Sequence, residues 1–268
     1  VGMYGGSDIL TVGDGDLSFS LSLAQDRLLS GAAETQGVLV ASTHLSLLEL
    51  EEAYGASTVR ETIAQLHTLG AVVLHAVDAT RVEESVRASV AASPDSASAH
   101  FVNQVFKKGG FDIVVWNFPC VTGGKDGKDS QLAEIEENKA LMFAFFKSVP
   151  QVLKTAAQVH VTHKTKAPFC YWDLPRLAAT ATHDLTFTRR LVFDRSQFPF
   201  YQNRKVASGR GKFPTWDAAV YVWTKGEPPS RLRKGTFSLS LEQNHSLALL
   251  VNEAKNVFEK DLLKRGGS

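Results

Sequence analysis

Short runs of β-branched and apolar residues recur along the chain at 9–13, 37–43, 72–77, 112–117 and 158–163, with longer amphipathic stretches between them. The runs read as buried strands and the stretches at 18–30, 45–69, 81–91 and 131–154 as helices. In the last stretch Leu141, Phe145 and Val149 fall at i, i+4 and i+8, with Met142 and Phe146 beside them, the spacing of a core-facing helical stripe. Strand alternating with helix predicts βαβ units and a parallel sheet. Beyond 163 the pattern changes to a helix near 173–181, a strand near 184–193, an irregular stretch at 194–215 and a strand near 216–224. Two late strands with no helix between them predict an antiparallel pair at the sheet edge. A connection as long as 194–215 is unusual in compact domains and tends to be functional. The predicted organisation is one domain over 1–226, a linker at 227–238 and a helical extension at 239–268.

Five alternating units and a closing antiparallel pair make up the strand inventory of an α/β, class I methyltransferase (Rossmann-like) fold, a mostly parallel seven-stranded sheet with an antiparallel edge pair. In such sheets ligands bind beyond the carboxyl ends of the strands, so the chemistry belongs in the loops after strands one to four.

Composition narrows the setting. At 268 residues with 44% hydrophobic and 21% charged residues the chain has ordinary globular usage. No run approaches the roughly 18 apolar residues of a bilayer span, and VGMYGGSD is not a secretory signal, so the expectation is an intracellular protein without a membrane. The chain begins without Met, which leaves a removed targeting segment open. Cys120 and Cys170 alone make neither a disulfide framework nor a zinc site, and no metal is expected. Net charge is +1 but unevenly spread: residues 1–188 hold 14 Lys/Arg against 21 Asp/Glu, whereas 189–234 hold 11 against 3. Such a basic stretch is either a phosphate-binding face or a solvated surface.

The first loop, VGDGDLSFSLSLA, sets Gly13 and Gly15 between a strand and a helix, where backbone amides can approach a ligand. The dinucleotide fingerprint would need glycine at Ser18, and Asp14 and Asp16 would repel a pyrophosphate. Two carboxylates suit a cationic ligand such as the ammonium and sulfonium of S-adenosylmethionine; equally, they suit Asx turns that cap the next helix. Asp78 ends the third strand, placed to accept from an adenine amino group or to cap the following helix. Asn117, Phe118 and Pro119 follow the fourth strand and resemble the Asn-Pro-Pro-aromatic turn of amino-group methyltransferases. In that turn an Asn side chain and a backbone carbonyl accept from the target nitrogen and aim it at the methyl group, which makes Asn117 a positioning residue. Gly123-Gly124-Lys125 does not match a phosphate loop. Further on, Phe169, Tyr171, Trp172, Phe198, Phe200 and Tyr201 are interleaved with Lys164, Lys166, Arg195, Arg204 and Lys205, a mixture that grips unpaired RNA, although some of these rings belong to the core.

VGDGDLSFSLSLA, AST at 41–43, LGAVVLHAVDAT, FDIVVWNFPCVTGGK, NKALMFAFFKS, VHVTHK and PFCYWDLPRLA, in this order over about 8–224, resemble the 25S ribosomal RNA (uridine-N3) methyltransferase family. The resemblance implies S-adenosylmethionine as cofactor, held by Gly13, Asp14, Gly15, Asp16, Ser18, Ser42, Thr43, Asp78, Ala79 and Asn117. It also implies Asn117, Phe118 and Pro119 as the catalytic turn, and RNA held by Lys164, Tyr171, Trp172, Arg195, Tyr201, Arg204, Lys205, Arg210 and Lys212. The implied activity is methylation of a uridine at N3 in large-subunit ribosomal RNA. The implied partner is ribosomal RNA or a preribosomal particle, with the protein a monomer outside it, in the nucleolus of the nucleus; mitochondrion or cytoplasm are the alternatives. The chain departs from the family's pattern at Cys120, where His is usual, and at FPFYQNRKVAS, which lacks the usual glycine and histidine. Those departures motivate a second expectation, a catalytically silent assembly factor that keeps the fold and binds ribosomal RNA.

Overall fold

The computed structural model describes residues 4–29, 37–93, 96–121, 130–204 and 213–226. Its seven strands are β1 (Ile9–Val12), β2 (Leu39–Ser42), β3 (Val72–Leu74), β4 (Phe111–Asn117), β5 (Leu153–Lys164), β6 (Leu185–Val192) and β7 (Ala218–Lys225). They form one sheet in the order β3-β2-β1-β4-β5-β7-β6. The pairs β1/β2, β2/β3, β1/β4 and β4/β5 are parallel, and β7 runs antiparallel to both β5 and β6. This is the class I methyltransferase sheet expected from the sequence. The late strands pair as expected, with β7 inserted between β5 and the edge strand β6. The linker at 227–238 and the extension at 239–268 lie outside the described residues.

Alternation of side chains along each strand sorts the core into two layers. Ile9, Ala41, Ile113 and Val115 face one layer with Phe19 and Leu23 of α1 (Ser18–Leu29), Leu50 of α2 (Leu47–Tyr54) and Leu66 of α3 (Ala56–Thr68). Leu10, Val12, Val114 and Trp116 face the other. That layer is filled by α4 (Val82–Ala92), α5 (Ser96–Lys107), α6 (Ser130–Ser148) and α7 (Leu174–Ala181).

Three expectations need correction. The single helix at 45–69 is two, because Gly55 at φ 92° closes α2 and opens α3. Helix α5 was not expected; its stripe rests on Ser98, Val102 and Val105, and only two of those are hydrophobic. The helix expected to reach 154 ends at Ser148, with a 3-10 turn over Val149–Val152 carrying Pro150. The next strand therefore begins at Leu153, five residues before the apolar run, and Ala156 at φ 61° takes up the irregular register against β4.

At the end of the sheet opposite the ligand loops, a charge cluster ties four strands together. Lys154 Nζ donates to Asp8 Oδ2 (2.8 Å) and Asp112 Oδ1 (2.9 Å), and Asp8 Oδ1 accepts from Val38 N (2.9 Å). Burial opposes ionisation of Asp8, but the Lys154 and Val38 bonds hold its carboxyl below the ordinary carboxylate value. Asp8→Ala is expected to cost about 2 kcal/mol, since it leaves an amide and an ammonium short of a partner. That is a fall in melting temperature of roughly 4–8 °C at neutral pH. A depressed carboxylate contributes stability above its unfolded value and loses it as pH falls through the folded one. The difference between variant and wild type should therefore shrink in melts below about pH 4.

Candidate active site

The carboxyl ends of β1 and β4 lie side by side, Val12 pairing with Trp116 in register. The turn after β1 and the turn after β4 consequently open into one cavity, lined by Gly13, Asp14, Gly15, Asp16, Tyr54, Asn117, Phe118 and other residues. Gly13 adopts φ 61°, and a Cβ there would stand 2.6 Å from Trp116 Nε1. A side chain at this position meets both a strained backbone and a buried indole, which is why glycine carries the turn.

The two acids do different work. Ser20 N and Oγ donate to Asp14 Oδ2 (2.8 and 2.6 Å), and Asp14 N donates to Ser42 O (3.0 Å). Burial, with Asp16 beside it, pushes the Asp14 carboxyl up to about 7 against the pull of Ser20. Asp16 Oδ1 accepts from Ser18 N and Oγ (3.1 and 2.5 Å), and burial raises its carboxyl as well. The carboxylates thus make local Asx-type bonds at the start of α1 and at the same time line the cavity. Tyr54 closes the far side at the end of α2, its hydroxyl pushed up to about 12 by burial and then by Asp16 and Asp14.

Across the cavity, Thr162 Oγ1 donates to Asn117 Oδ1 (2.5 Å) and Phe118 N donates to Thr162 O (2.8 Å). Asn117 Nδ2 is buried with no partner among the described residues. The Asn117 oxygen, expected to accept from a target nitrogen, accepts from Thr162 Oγ1, and the same amide presents its Nδ2 donor beside it. Phe118 stands at φ 51°, a conformation that costs a bulky residue energy and recurs at functional turns. Its ring is held edge-on by Phe193 (5.5 Å) and Phe213 (4.8 Å).

The other sequence-derived site residues divide. Ser42 and Thr43 are fully buried: Ser42 Oγ donates to Thr11 O (2.6 Å) and Thr43 N to Leu74 O (3.2 Å), so they stitch the sheet under the turn. Asp78 caps the 3-10 turn at Ala79–Arg81, accepting from Thr80 N and Oγ1 (2.8 and 2.7 Å); burial opposes, but these bonds and Arg81 hold its carboxyl low. Neither Asp78 nor Ala79 lines the cavity; nor does Pro119, which is buried, or Ser18. Trp172 and Tyr201 are buried rings, packed on His163 and Phe19, and neither stands on the outer surface. Tyr171 is 62% exposed. Lys164 Nζ lies over Phe169 (4.7 Å), and Arg195 donates to Tyr201 O (2.7 Å) rather than reaching outward. Lys205, Arg210 and Lys212 are outside the described residues.

Residues that the sequence did not single out are Tyr54, Gln202, Phe213 and Trp116. None carries a local signal except Trp116, which precedes Asn117 and alternates with Val114 on the strand. A further exposed pair is Trp216, with Lys166 Nζ 4.1 Å from its ring centroid. Among the described residues no group of three or more His, Cys, Asp and Glu is arranged to hold a metal, and no helix is long and apolar enough to cross a membrane.

The residues fit S-adenosylmethionine. A glycine cradle lies beside two carboxylates that suit a cationic amino-acid end, and across the cavity stands the Asn117 amide donor, without a partner among the described residues. As it stands the cavity is about 50 Å³, narrowed by Tyr201, Gln202, Arg204 and Phe213. Ligand pockets generally run to some 300 Å³ or more, so the cavity has to widen as the cofactor enters.

The chain is similar to several known proteins. The protein named heavy metal-associated isoprenylated plant protein 41 of Arabidopsis thaliana is 34% identical over 197 residues, covering 74% of this chain and 32% of that protein. The chain therefore spans about a third of that relative's length. The Arabidopsis thaliana protein At4g26485 is 26% identical over 220 residues, covering 81% of this chain and 92% of the other. Among solved structures, TrmN from Thermus thermophilus shows a TM-score of 0.43 at 15% identity, over 83% of this chain and 45% of that one. Methanococcus jannaschii fibrillarin shows 0.42 at 12%, over 84% and 69%. Likenesses as loose as these last two bear on neither substrate nor activity. Residues 10–205 match the family described as rRNA (uridine-N3-)-methyltransferase BTM5-like; the chain belongs to this BMT5-like family, and its cofactor is S-adenosylmethionine.

Proposed function

We propose that the protein methylates N3 of a uridine in large-subunit ribosomal RNA, in the nucleolus. The observation that carries this reading is the buried Asn117 Nδ2 on the wall of the cofactor cavity, which has no partner among the described residues. Uracil flanks N3 with two carbonyl oxygens, so an amide donor suits its edge, whereas an amino-group target would need an acceptor there. The cofactor supplies an electrophilic methyl group. Asn117 holds a uracil carbonyl, Thr162 fixes the Asn117 amide by occupying its oxygen, and Phe118 with Phe193 and Phe213 gives the turn a rigid apolar wall. The N3 proton must leave around the time of transfer, and the base must be unpaired or flipped for N3 to be reached. The exposed Tyr171 and the Lys166–Trp216 pair support an RNA substrate, since rings and cations together grip unpaired nucleotides. Nucleosides from ribosomal RNA of cells with and without the gene, compared by mass spectrometry, test the proposal: a large-subunit N3-methyluridine should vanish on deletion, and an unchanged profile contradicts it.

Cofactor affinity should depend on pH. A carboxyl whose folded value is raised favours the folded protein at low pH and loses that contribution as pH rises through about 7. A cationic ligand at the turn favours the ionised form, so binding releases a proton below that value. Affinity for S-adenosylhomocysteine is expected to rise about tenfold between pH 6 and pH 8, and Asp14→Asn to flatten the rise. Titration calorimetry at both pH values checks this; a pH-independent affinity of the wild type contradicts it.

A further inference from the structure

Resting on S-adenosylmethionine as cofactor, we propose that Asp16 and Arg204 form a paired site for the methionine zwitterion, with Arg204 holding the α-carboxylate. Arg204 was expected at the RNA face, yet the connection after β6 turns it inward. Phe198 and Tyr201 are buried against Phe19 (4.9 and 5.6 Å between ring centroids). Gln202 N donates to Ser18 Oγ (2.8 Å) and Phe200 N to Ser22 Oγ (3.3 Å), which docks the segment on the first turns of α1. The guanidinium is thereby delivered to the glycine turn. Its Nε and Nη2 donate to Gln202 Oε1 (3.0 and 2.6 Å), and its carbon lies 6.0 Å from the centroid of the Tyr54 ring.

Two features make this a ligand site rather than a closed ion pair. Arg204 Nε meets Asp16 Oδ2 at 3.5 Å, well beyond the ~2.7–2.9 Å of a closed charge-assisted bond, so neither charge is saturated by the other. Arg204 is also the one Lys or Arg among the described residues lining the cavity, where the other charged groups are Asp14 and Asp16. A turn made of carboxylates alone would welcome the cofactor's ammonium and repel its carboxylate. A guanidinium set beside Asp16 removes that conflict and matches both charges of an α-amino acid. The fork of Arg204 suits a carboxylate, and Gln202 holds it in orientation.

The test is calorimetric binding of S-adenosylhomocysteine and of its decarboxylated analogue, which differ only in the α-carboxylate, to the full chain. Wild type is expected to prefer S-adenosylhomocysteine by about 10- to 100-fold. Arg204→Ala should erase the preference by weakening S-adenosylhomocysteine while leaving the analogue's affinity unchanged. Equal wild-type affinity for the two overturns the assignment without any variant. So does an Arg204→Ala protein that weakens both compounds alike, or one that keeps its preference and loses only RNA. Failure of wild type to bind either compound overturns the cofactor assignment itself and this proposal with it, a result distinct from equal binding.

Discussion

Asn117→Asp is expected to lower methyl transfer to RNA by roughly 10²- to 10³-fold, the cost of removing one preorganised donor from the reacting group. The substitution is nearly isosteric and keeps an oxygen for Thr162 Oγ1, so β4 and its pairing with β5 should survive. What it removes is the amide Nδ2, which has no other partner among the described residues. If the side chain worked as an acceptor, Asp would be tolerated and only Asn117→Ala would be damaging. If it works as a donor, the two variants should be about equally poor, with S-adenosylhomocysteine affinity much less affected than turnover. Single-turnover assays beside calorimetry separate the two, and an Asp variant close to wild type would refute the donor role.

Gly13→Ala is expected to destabilise the protein by about 2–4 kcal/mol, the sum of the cost of a left-handed backbone for an L-residue and that of overpacking a core. The added Cβ would approach Trp116 Nε1 to 2.6 Å, and Trp116 has little freedom to retreat because Phe145 abuts it at 4.8 Å between centroids. A fall in melting temperature of roughly 10 °C follows. Loss of S-adenosylhomocysteine binding by at least about tenfold should accompany it, because the displaced turn carries Asp14 and Asp16. Gly70→Ala, at the end of α3, is the control: φ is also positive (76°) but nothing lies within 4 Å of the added carbon. There only the backbone cost of about 1 kcal/mol is expected. Equal losses at both positions would mean that Trp116 yields easily.

Which parts of this architecture could be read from the sequence follows from how local their causes are. The central parallel strands announce themselves most clearly, because each is buried on both faces and reads as a near-continuous apolar run, as in Ile113–Trp116. Gly13 and Asn117 were legible for a related reason: ligand loops follow such strands, so the glycine and the amide are found by counting from the run. Helix α5 escaped because its buried stripe includes Ser98, and the early start of β5 escaped because Lys154, Thr155 and Ala156 look like the end of a helix. The inward turn of Arg204 could not be read at all. It depends on Phe198 and Tyr201 finding Phe19, and on Ser18 and Ser22 bonding backbone amides about 180 residues away. In the sequence the same residues form a basic, aromatic stretch that suits an RNA face equally well.

The most direct measurement is transfer of an isotopically labelled methyl group from S-adenosylmethionine to large-subunit ribosomal RNA by the purified chain, with the RNA digested and its nucleosides resolved by mass spectrometry. The label should appear in N3-methyluridine and be reduced to near background by Asn117→Asp. Label on an exocyclic amino group or a ribose hydroxyl, or unlabelled RNA from a protein that binds S-adenosylhomocysteine tightly, would contradict the assignment.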